Sequence, residues 1–240
     1  MIFENRLREG ILVRRYKRFL ADVKLKDGSV ITVHCPNTGS MTNCSDPGSR
    51  VWFSRSNNEK RKYHSTLQII QTETNDFVGI NTNLANDLVV EAIGNNIVKS
   101  LAFYASLRRE VVFGGQRSRI DLKLENSSVG GNNCFVEVKN VGYGISNGAG
   151  LFPDAITLRG QKHLRDLAMI RKSGERAVLL FCVQHSGIDF VRPADNIDPS
   201  YGTLLREAIS SGVEVLAVKA KFDIRSSKIC LSHEIPVVLS

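Results

Sequence analysis

The sequence predicts an α+β protein of two domains, a small all-β domain in residues 1–83 and an α/β domain in residues 84–240. Two observations lead to this prediction. Short apolar runs separated by Pro, Gly, Asn and Asp fill the first third of the chain, whereas apolar runs alternate with helix-spaced segments in the rest. With 240 residues, of which 42% are hydrophobic, each domain can build a core of its own.

The strands of the first domain are marked by their turns. Ile11–Leu25 runs into the Asp27-Gly28 turn and is followed by Val30–His34, and an Asp-Gly turn between two apolar strands is a strong hairpin signal. Residues 51–54 and 66–72 supply further strands. About five strands in so short a segment favour a small barrel of the oligonucleotide/oligosaccharide-binding (OB) type. A compact sandwich is the alternative.

The second domain opens with a helix and three strands. Apolar residues recur at helical spacing over Leu84–Ile93. The three predicted strands cover Glu110–Phe113, Arg119–Leu124 and Phe135–Lys139. The stretch 142–150, which holds four glycines, predicts a loop.

Helices and strands alternate in the remainder of the chain. Asp154–Lys172 predicts a helix that ends at Gly174, and the unbroken apolar run Ala177–Val183 is typical of a central strand covered on both faces. A helix near 201–211, a strand over 213–218 and a short C-terminal strand complete the pattern. This order describes an α/β domain.

Composition excludes several classes of protein. No apolar run approaches the roughly 20 residues that a membrane helix needs, and the N-terminus lacks a hydrophobic secretory core. The five cysteines are scattered, with no C-x-x-C pair, so neither a disulfide framework nor a zinc site is expected. These features predict a cytoplasmic protein with free thiols and no membrane partner.

Charge points to a polyanionic partner. The net charge is +8 and the first 86 residues hold 13 Lys and Arg against 8 Asp and Glu. Two segments of the barrel, Arg14–Phe19 and Glu59–Tyr63, interleave basic and aromatic residues, a mixture that suits phosphate contacts and base stacking. A solvated polar face is the alternative. The predicted nucleic-acid contacts are Arg14, Arg15, Lys17, Arg18, Lys60, Arg61 and Lys62.

The expected partner is DNA, with RNA as an alternative. The sequence contains no recognisable helix-turn-helix and no zinc module, so we predict binding with little sequence preference. Whether the chain forms a homo-oligomer is left open.

Three acid-x-Lys triplets occur in the sequence: Asp22-Val-Lys24, Asp121-Leu-Lys123 and Glu137-Val-Lys139. Ordinary amino-acid usage yields a few such triplets by chance, and a solvated strand edge explains each of them. The third differs because its strand is expected to be central, where an unpaired Glu and Lys are costly to bury. We interpret Glu137 and Lys139, with Asp121 on the preceding strand, as the candidate catalytic set.

The chemistry of this set is that of metal-assisted phosphodiester cleavage. Asp121 and Glu137 are the predicted ligands of Mg²⁺ or Mn²⁺, since hard cations prefer carboxylate oxygens and keep several waters. Lys139 is placed to orient the attacking water and to stabilise the charge that builds on phosphate. Glu91 and Glu110 are alternative third acids for a second ion, and the sequence does not choose between them.

The predicted helix after the glycine-rich stretch adds further candidates. Arg159, Gln161, Lys162 and His163 cluster in its N-terminal half. We expect Arg159 to contact nucleic acid and Gln161 to take part in catalysis by meeting a phosphate or positioning a water. An ordinary polar helix face is the alternative, and His163 by itself supports no role.

The order of elements resembles the restriction-endonuclease-like PD-(D/E)xK nuclease core over about residues 84–220. Asp121 and Glu137 match the metal ligands of that pattern and Lys139 matches its lysine. One departure is Ile120, which stands where the named form of the pattern has Pro.

Nearly the whole chain resembles the bacterial sugar fermentation stimulation protein A family. The motifs that carry the resemblance are Arg15–Val23, His34–Gly39, Arg61–Tyr63, Arg117–Asp121, Glu137–Lys139, Phe152–Ala155 and Arg159–Leu164. The resemblance implies an OB barrel followed by a nuclease-like domain. It also implies DNA binding without strong sequence preference and a regulatory role in the metabolism of maltose and related sugars.

Two functions follow from these observations. The first is a DNA-binding regulator that carries a nuclease-like metal site, and the alternative is an active Mg²⁺-dependent nuclease. Residues 37–41, Asn-Thr-Gly-Ser-Met, belong to the resemblance without an evident chemical role, and we expect a tight turn that faces the second domain.

Overall fold

A computed structural model describes residues 1–113 and 118–239 of the chain. Arg117, part of one of the motifs above, lies outside the described residues. Two six-stranded sheets, one small sheet and three α-helices make up the described fold. No helix within these two ranges is long and apolar enough to cross a membrane.

The first sheet closes on itself to form a barrel. Its strands are β1 (Arg8–Tyr16), β2 (Leu20–Lys24), β3 (Val30–His34), β4 (Arg50–Arg55), β5 (Ser65–Gln71) and β6 (Phe77–Gly79). Strand order is β3-β2-β1-β4-β5-β6, and a parallel pairing of His34 with Thr66 joins β3 to β5. The five strands β1 to β5 therefore form a closed barrel around an apolar core, which confirms the OB prediction and excludes the sandwich.

The sequence prediction of one strand over Ile11–Leu25 is wrong. The chain turns back at residues 17–19, so that β1 and β2 form a hairpin closed by Tyr16 and Leu20. Lys17 and Arg18 both adopt a left-handed backbone, with φ of 51° and 64°. Such turns usually carry Gly or Asn, and the absence of either residue hid the hairpin from sequence reasoning.

Strand register brings the basic segments to one end of the barrel. Leu20, at the end of the first hairpin, pairs with His34. His34 pairs with Thr66, which in turn pairs with Ser54. Hairpin tip 17–19 and segment 56–64, which connects β4 to β5, therefore leave the barrel at the same end. We call this end the basic rim.

The second domain is built on a mixed sheet of six strands. They are β7 (Tyr104–Phe113), β8 (Ser118–Ser127), β9 (Cys134–Val141), β12 (Arg176–Val183), β14 (Glu214–Asp223) and β15 (Lys228–Ile235), in the order β15-β14-β12-β9-β8-β7. β9, β12 and β14 are parallel, and the outer pairs are antiparallel. Helix α1 (Ala85–Gly94) packs on one face, while α2 (Leu158–Lys172) and α3 (Pro199–Ser210) pack on the other. This mixed α/β architecture agrees with the prediction.

Several assignments in the second domain differ from the sequence prediction: β7 begins at Tyr104 rather than Glu110, and β14 continues to Asp223. The glycine-rich stretch is not simply a loop, because β10 (Tyr143–Gly144) and β11 (Ala149–Phe152) pair with each other and β11 pairs with β13 (Phe190–Pro193). Helix α2 begins at Leu158 rather than near Asp154, because the Thr157 side chain accepts a hydrogen bond from the Gly160 backbone and caps the helix there.

The two domains are joined by polar and backbone contacts. Gly79 donates a backbone hydrogen bond to Gln184, and a Cβ at Gly79 would lie 2.4 Å from the Gln184 side chain, so only glycine fits this approach. The Gln184 amide donates to Asn140 Oδ1 over 2.6 Å. Two further bonds cross between the domains at Ser186, whose backbone N–H donates to the Phe77 carbonyl and whose Oγ accepts from the Phe77 N–H over 2.8 Å. These bonds fix the barrel against the carboxyl ends of β9 and β12.

Candidate metal centre

Strands β8 and β9 separate at the position of Asp121. Their ladder pairs Leu122 with Val136 and does not continue beyond this pair. The Asp121 carboxylate takes over the freed backbone group, since its Oδ2 accepts a hydrogen bond from the Val138 N–H over 2.8 Å. Its Oδ1 accepts from the Asn86 amide of α1 over 3.0 Å. The splay thus fixes one carboxylate between the two strands and the first helix.

Glu137 is buried on the α2 side of β9, with 2% of its side chain exposed. Its Oε1 is 2.7 Å from Lys139 Nζ and is also hydrogen-bonded to His163 Nδ1. Oε2 is buried and has no hydrogen-bond partner in the described part of the chain. A buried carboxylate oxygen without a donor is rare, because losing its water costs free energy.

Lys139 and His163 complete a compact polar group around Glu137. Strand alternation places Lys139 on the same face as Glu137, and the Lys139 ammonium lies 2.9 Å from His163 Nδ1. His163 comes from the second turn of α2, and its Nε2 receives a hydrogen bond of 3.4 Å from the Arg159 guanidinium. Two nitrogen-bearing side chains therefore surround one oxygen of the acid.

Electrostatics keep Glu137 ionised and disfavour the charge of Asp121. Burial raises the pKa of Glu137, but the His163 hydrogen bond and the Lys139 charge outweigh it, so the net pKa is lowered. Burial is also the main reason why the pKa of Asp121 is raised, and the negative charge of Glu137 adds to it. The two carboxylates are thus close enough to repel each other, a situation that a bound cation relieves.

Gln161 does not reach this group. Its amide donates to both carboxylate oxygens of Asp198, over 2.9 and 3.2 Å. Asp198 caps α3 by accepting from the Tyr201 N–H and also accepts from the Thr157 N–H. The predicted catalytic Gln161 therefore holds α2 to α3, which is a positioning contact between helices. Arg159, by contrast, is exposed at the start of α2 as expected.

Neither predicted third acid joins the two carboxylates. Glu91 is held by the N-terminal amine of Met1, whose nitrogen is 2.7 Å from Glu91 Oε1. Glu110 falls opposite Asp121 in the β7–β8 register, but its side chain is exposed and its backbone is left-handed, with φ of 51°. Within residues 1–113 and 118–239, no three His, Cys, Asp or Glu side chains form a metal-binding cluster.

The donor chemistry of the two carboxylates nevertheless fits a hard cation. Mg²⁺ and similar ions are often held by one or two carboxylates together with water. Glu137 Oε2 is an unused acceptor, and each Asp121 oxygen accepts only one hydrogen bond although it has two lone pairs. The buried unpartnered oxygen is what a cation or its bound water would satisfy.

The predicted nucleic-acid contacts of the barrel differ in their exposure and in their hydrogen-bond partners. Lys17, Arg18, Lys60 and Lys62 are exposed on the basic rim, while Arg61 is half-buried and donates to Thr66. Arg14 donates to Asp22 over 2.8 Å but keeps two thirds of its side chain exposed.

Arg15 departs from the prediction. Its guanidinium donates to the backbone carbonyls of Asn37 and Gly39 over 3.0 and 2.8 Å, as well as to Arg18 O. It anchors the segment after β3 instead of facing a phosphate. That segment does face the second domain, as expected, because Ser40 Oγ lies 3.1 Å from Asp154 Oδ2.

Sequence reasoning missed His163 and Asn86. A usable signal existed for His163, because it shares a helical face with Leu167 and Ile170, both of which are fully buried. A histidine on the apolar face of a helix that covers Glu137 is placed to touch it. Asn86 gave no such signal, since its partner Asp121 is reached only through the splay of β8 and β9.

Comparison with known families accounts for almost the whole chain. A family model described as "SfsA N-terminal OB domain" matches residues 13–80, and one described as "Sugar fermentation stimulation protein RE domain" matches residues 83–226. Two curated relatives are each named "Sugar fermentation stimulation protein homolog". The one from Teredinibacter turnerae is 54% identical over 239 residues and covers 100% of both chains. The one from Shewanella sp. (strain ANA-3) is 51% identical and covers 99% of both.

A solved structure shares the fold of the entire chain. The structure of Pyrococcus furiosus SfsA in complex with Ca²⁺ superposes with a TM-score of 0.86 at 25% sequence identity. The match covers 99% of this chain and 98% of that one. Barrel and α/β domain are therefore combined in the same way in both proteins.

Proposed function

The chain belongs to the sugar fermentation stimulation protein family, and from this premise we propose that it is a nucleic-acid-binding protein whose second domain hydrolyses phosphodiesters with a divalent metal. DNA is the expected substrate, with RNA as the alternative. The barrel would supply most of the binding and the Asp121–Glu137–Lys139 group the chemistry.

One observation carries this proposal: the buried, unpartnered Oε2 of Glu137. An unmade hydrogen bond in the interior costs about 1–3 kcal/mol, and a cation at this oxygen would offset that cost. The same acid lies beside a second carboxylate and an ammonium group. A cation bound at Glu137 and Asp121 would account for all three features.

The P. furiosus protein was solved in complex with Ca²⁺, which supports a divalent-ion site in this fold. We propose that Asp121 and Glu137 hold such an ion here, with Mg²⁺ or Mn²⁺ as the working metal. When bound, the ion would lower the pKa of a coordinated water and neutralise charge on the phosphate.

The side chains around the ion would bind it, contact the phosphate and orient the two carboxylates. Glu137 stays ionised because His163 and Lys139 stabilise its charge, so it is ready to bind a cation near neutral pH. The Lys139 side chain keeps 14% of its surface exposed, and its ammonium group could turn from Glu137 toward a phosphate oxygen. His163 fixes the orientation of Glu137, and Asn86 fixes that of Asp121.

Binding of the polyanion is assigned to the basic rim. Four exposed cationic side chains, Lys17, Arg18, Lys60 and Lys62, leave the same end of the barrel. The segment that follows β3 also leaves this end and contacts Asp154, which precedes α2 and its His163. A nucleic-acid strand bound on the basic rim would therefore be directed toward the metal centre.

A non-catalytic DNA-binding regulator of sugar metabolism is the second candidate. It is favoured by the absence, among the described residues, of a three-ligand cluster and by the engagement of Glu137 Oε1 by both Lys139 and His163. In that case the metal centre would be a structural remnant, and the role in the use of maltose and related sugars would depend on binding alone.

Cleavage assays separate the two candidates. Purified protein is incubated with single- and double-stranded DNA and RNA in Mg²⁺, Mn²⁺ or EDTA, beside Glu137→Gln and Lys139→Met. Metal-dependent cleavage that both substitutions abolish is expected. Binding without cleavage of any substrate would reject the nuclease and leave the regulator.

A further inference from the structure

We propose that a cavity between the barrel and the second domain binds an unpaired nucleobase of the nucleic acid. The cavity has a volume of about 230 Å³ and lies between the segment after β3 and the ends of β9 and β11. Its walls include Asn37 and Thr42 from the first domain, with Asn140, Tyr143, Phe152 and Asp154 from the second. The proposal rests on the proposed function and names the form of its substrate.

The size of the cavity suits one base. Pockets that hold drug-sized ligands measure about 300–1,000 Å³, so this one is too small for a dinucleotide or a large cofactor. A nucleobase is flat and compact, and it needs an apolar wall for its faces and polar groups for its edge.

Tyr143 supplies a wall for stacking. Its ring is half-buried, lines the cavity and makes no ring contact with another aromatic residue in the described part of the chain. Phe152, in contrast, already packs edge-on against Tyr201, with ring centroids 5.2 Å apart. Tyr143 is therefore the ring on which a base would stack, as in single-strand-binding proteins that stack bases on aromatic side chains.

The polar wall offers both donors and acceptors. Asn37 and Asn140 each use Oδ1 as an acceptor, toward Gly39 N–H and the Gln184 amide, and their Nδ2 groups have no partner in the two described ranges. Asp154 accepts from Ser40 through Oδ2, which leaves Oδ1 as an unused acceptor. Two amide donors and a carboxylate acceptor complement the Watson–Crick edge of a base, which carries amino or imino donors next to carbonyl or ring acceptors.

Specific hydrogen bonds and a close backbone approach hold the walls of the cavity in place. Arg15 holds the first-domain wall through the Asn37 and Gly39 carbonyls. Gly39 approaches Asp154 so closely that a Cβ would come within 2.6 Å of Oδ2. The position is also informative, since Asp154 of the cavity wall lies just before α2, the helix that carries His163. A base in the cavity would thus belong to a nucleotide near the metal centre.

A paired base cannot enter such a site, because its Watson–Crick edge is occupied and its faces are stacked in the duplex. The cavity therefore selects single strands, overhangs or extruded bases. A base site of this kind would add strand specificity to the phosphate contacts proposed for the basic rim.

Fluorescence anisotropy with end-labelled DNA tests the proposal. A single strand and a blunt duplex of the same length are titrated in EDTA, where no cleavage occurs, with wild type, Tyr143→Leu and the control Tyr143→Phe. We expect Tyr143→Leu to weaken single-strand binding by on the order of tenfold, as loss of one stacked base does, with duplex binding unchanged. Tyr143→Phe keeps the ring and should bind like wild type.

Asp154→Asn is the second variant, because it removes the carboxylate while an amide oxygen can still accept from Ser40. It should weaken single-strand binding alone, with an unchanged melting temperature.

The outcomes separate the two proposals. If wild type, Tyr143→Leu and Asp154→Asn all bind and cleave single strands equally well, the cavity proposal is rejected and the proposed function stands. If cleavage is absent but single-strand binding depends on Tyr143, the cavity stands and the nuclease does not. No binding by wild type overturns both.

Discussion

Two acid-x-Lys triplets of nearly identical sequence, Asp22-Val-Lys24 in the barrel and Glu137-Val-Lys139 in the second domain, acquire different surroundings. Both acids are buried, with 8% of Asp22 and 2% of Glu137 exposed. Every oxygen of Asp22 is satisfied, since Oδ2 accepts from Arg14 and Oδ1 accepts from Tyr16 and Thr32. Glu137 keeps one oxygen without a donor among the described residues.

The comparison shows that the spacing of an acid and a lysine does not distinguish a structural acid from a functional one. The difference comes from the side chains that the neighbouring β-strands bring to each acid. In the barrel, β1 and β3 bring three donors to Asp22, and Lys24 remains exposed. In the second domain, β8 brings a second carboxylate, and Lys139 turns back onto Glu137. Both oxygens of Asp22 are satisfied by hydrogen bonds, whereas Glu137 keeps an oxygen that could bind a cation.

The largest effect is expected for Glu137→Gln. The substitution keeps the shape of the side chain but removes the charge that would hold the metal, so metal-dependent cleavage of DNA should fall by on the order of a thousandfold. Asp22→Asn is the matched control and should cleave at the wild-type rate. Equal losses in both variants, measured as single-turnover rates at saturating Mn²⁺, would show that the two acids do not differ in function.

A smaller effect is expected for His163→Ala. His163 orients Glu137 without being a predicted ligand, and loss of such an orienting group typically weakens metal affinity about 10- to 100-fold. His163→Gln keeps a side-chain amide that can donate to Glu137 and should recover part of the affinity. Titration calorimetry with Mn²⁺ measures both variants. Unchanged affinity in His163→Ala would assign the histidine to packing alone.

Asp22→Asn should instead affect stability. Burial raises the pKa of Asp22, but hydrogen bonds from Arg14, Thr32 and Tyr16 outweigh it, so the net pKa is lowered. A carboxylate with a lowered folded-state pKa stabilises the protein above its unfolded value of about 3.9, and this contribution disappears as the pH falls through the folded value. Denaturant unfolding should show a loss of about 1–2 kcal/mol at pH 7. The loss should shrink as the pH falls below about 3.9, and a loss that stays constant with pH would contradict the argument.

The smallest effects concern the arginines of the first hairpin. Arg18 is exposed on the basic rim, so Arg18→Ala should reduce the slope of log K against log salt for duplex DNA by about 1. Arg14 is already paired with Asp22, and Arg14→Ala should reduce the slope by less. The reverse ranking would indicate that Arg14 leaves Asp22 when DNA binds.

The sequence was sufficient to predict the barrel, the α/β domain and the central position of β9. Apolar alternation and unbroken apolar runs depend only on which residues are buried, and these patterns are local. The hairpin at Lys17 and Arg18 was missed because its left-handed turn contains neither Gly nor Asn. The start of α2 was misplaced because Asp154, three residues earlier, is as good a capping residue as Thr157, which caps the helix.

The candidate site was only partly predictable for the same reason. Asp121, Glu137 and Lys139 lie on predicted strands, so strand alternation and order could bring them together. Asp22 was interpreted as a solvated edge because its three partners come from β1 and β3, whose register the sequence does not reveal. Gln161 was assigned to catalysis because nothing in the sequence placed Asp198 beside it.

The most direct measurement of the central claim is Mn²⁺ binding followed by electron paramagnetic resonance of the free ion. Wild type, Glu137→Gln and Asp22→Asn are compared at equal protein concentration. We predict that wild type and Asp22→Asn bind Mn²⁺ with the same affinity and that Glu137→Gln loses this binding. Equal Mn²⁺ binding by wild type and Glu137→Gln would contradict a metal centre at the free oxygen of Glu137.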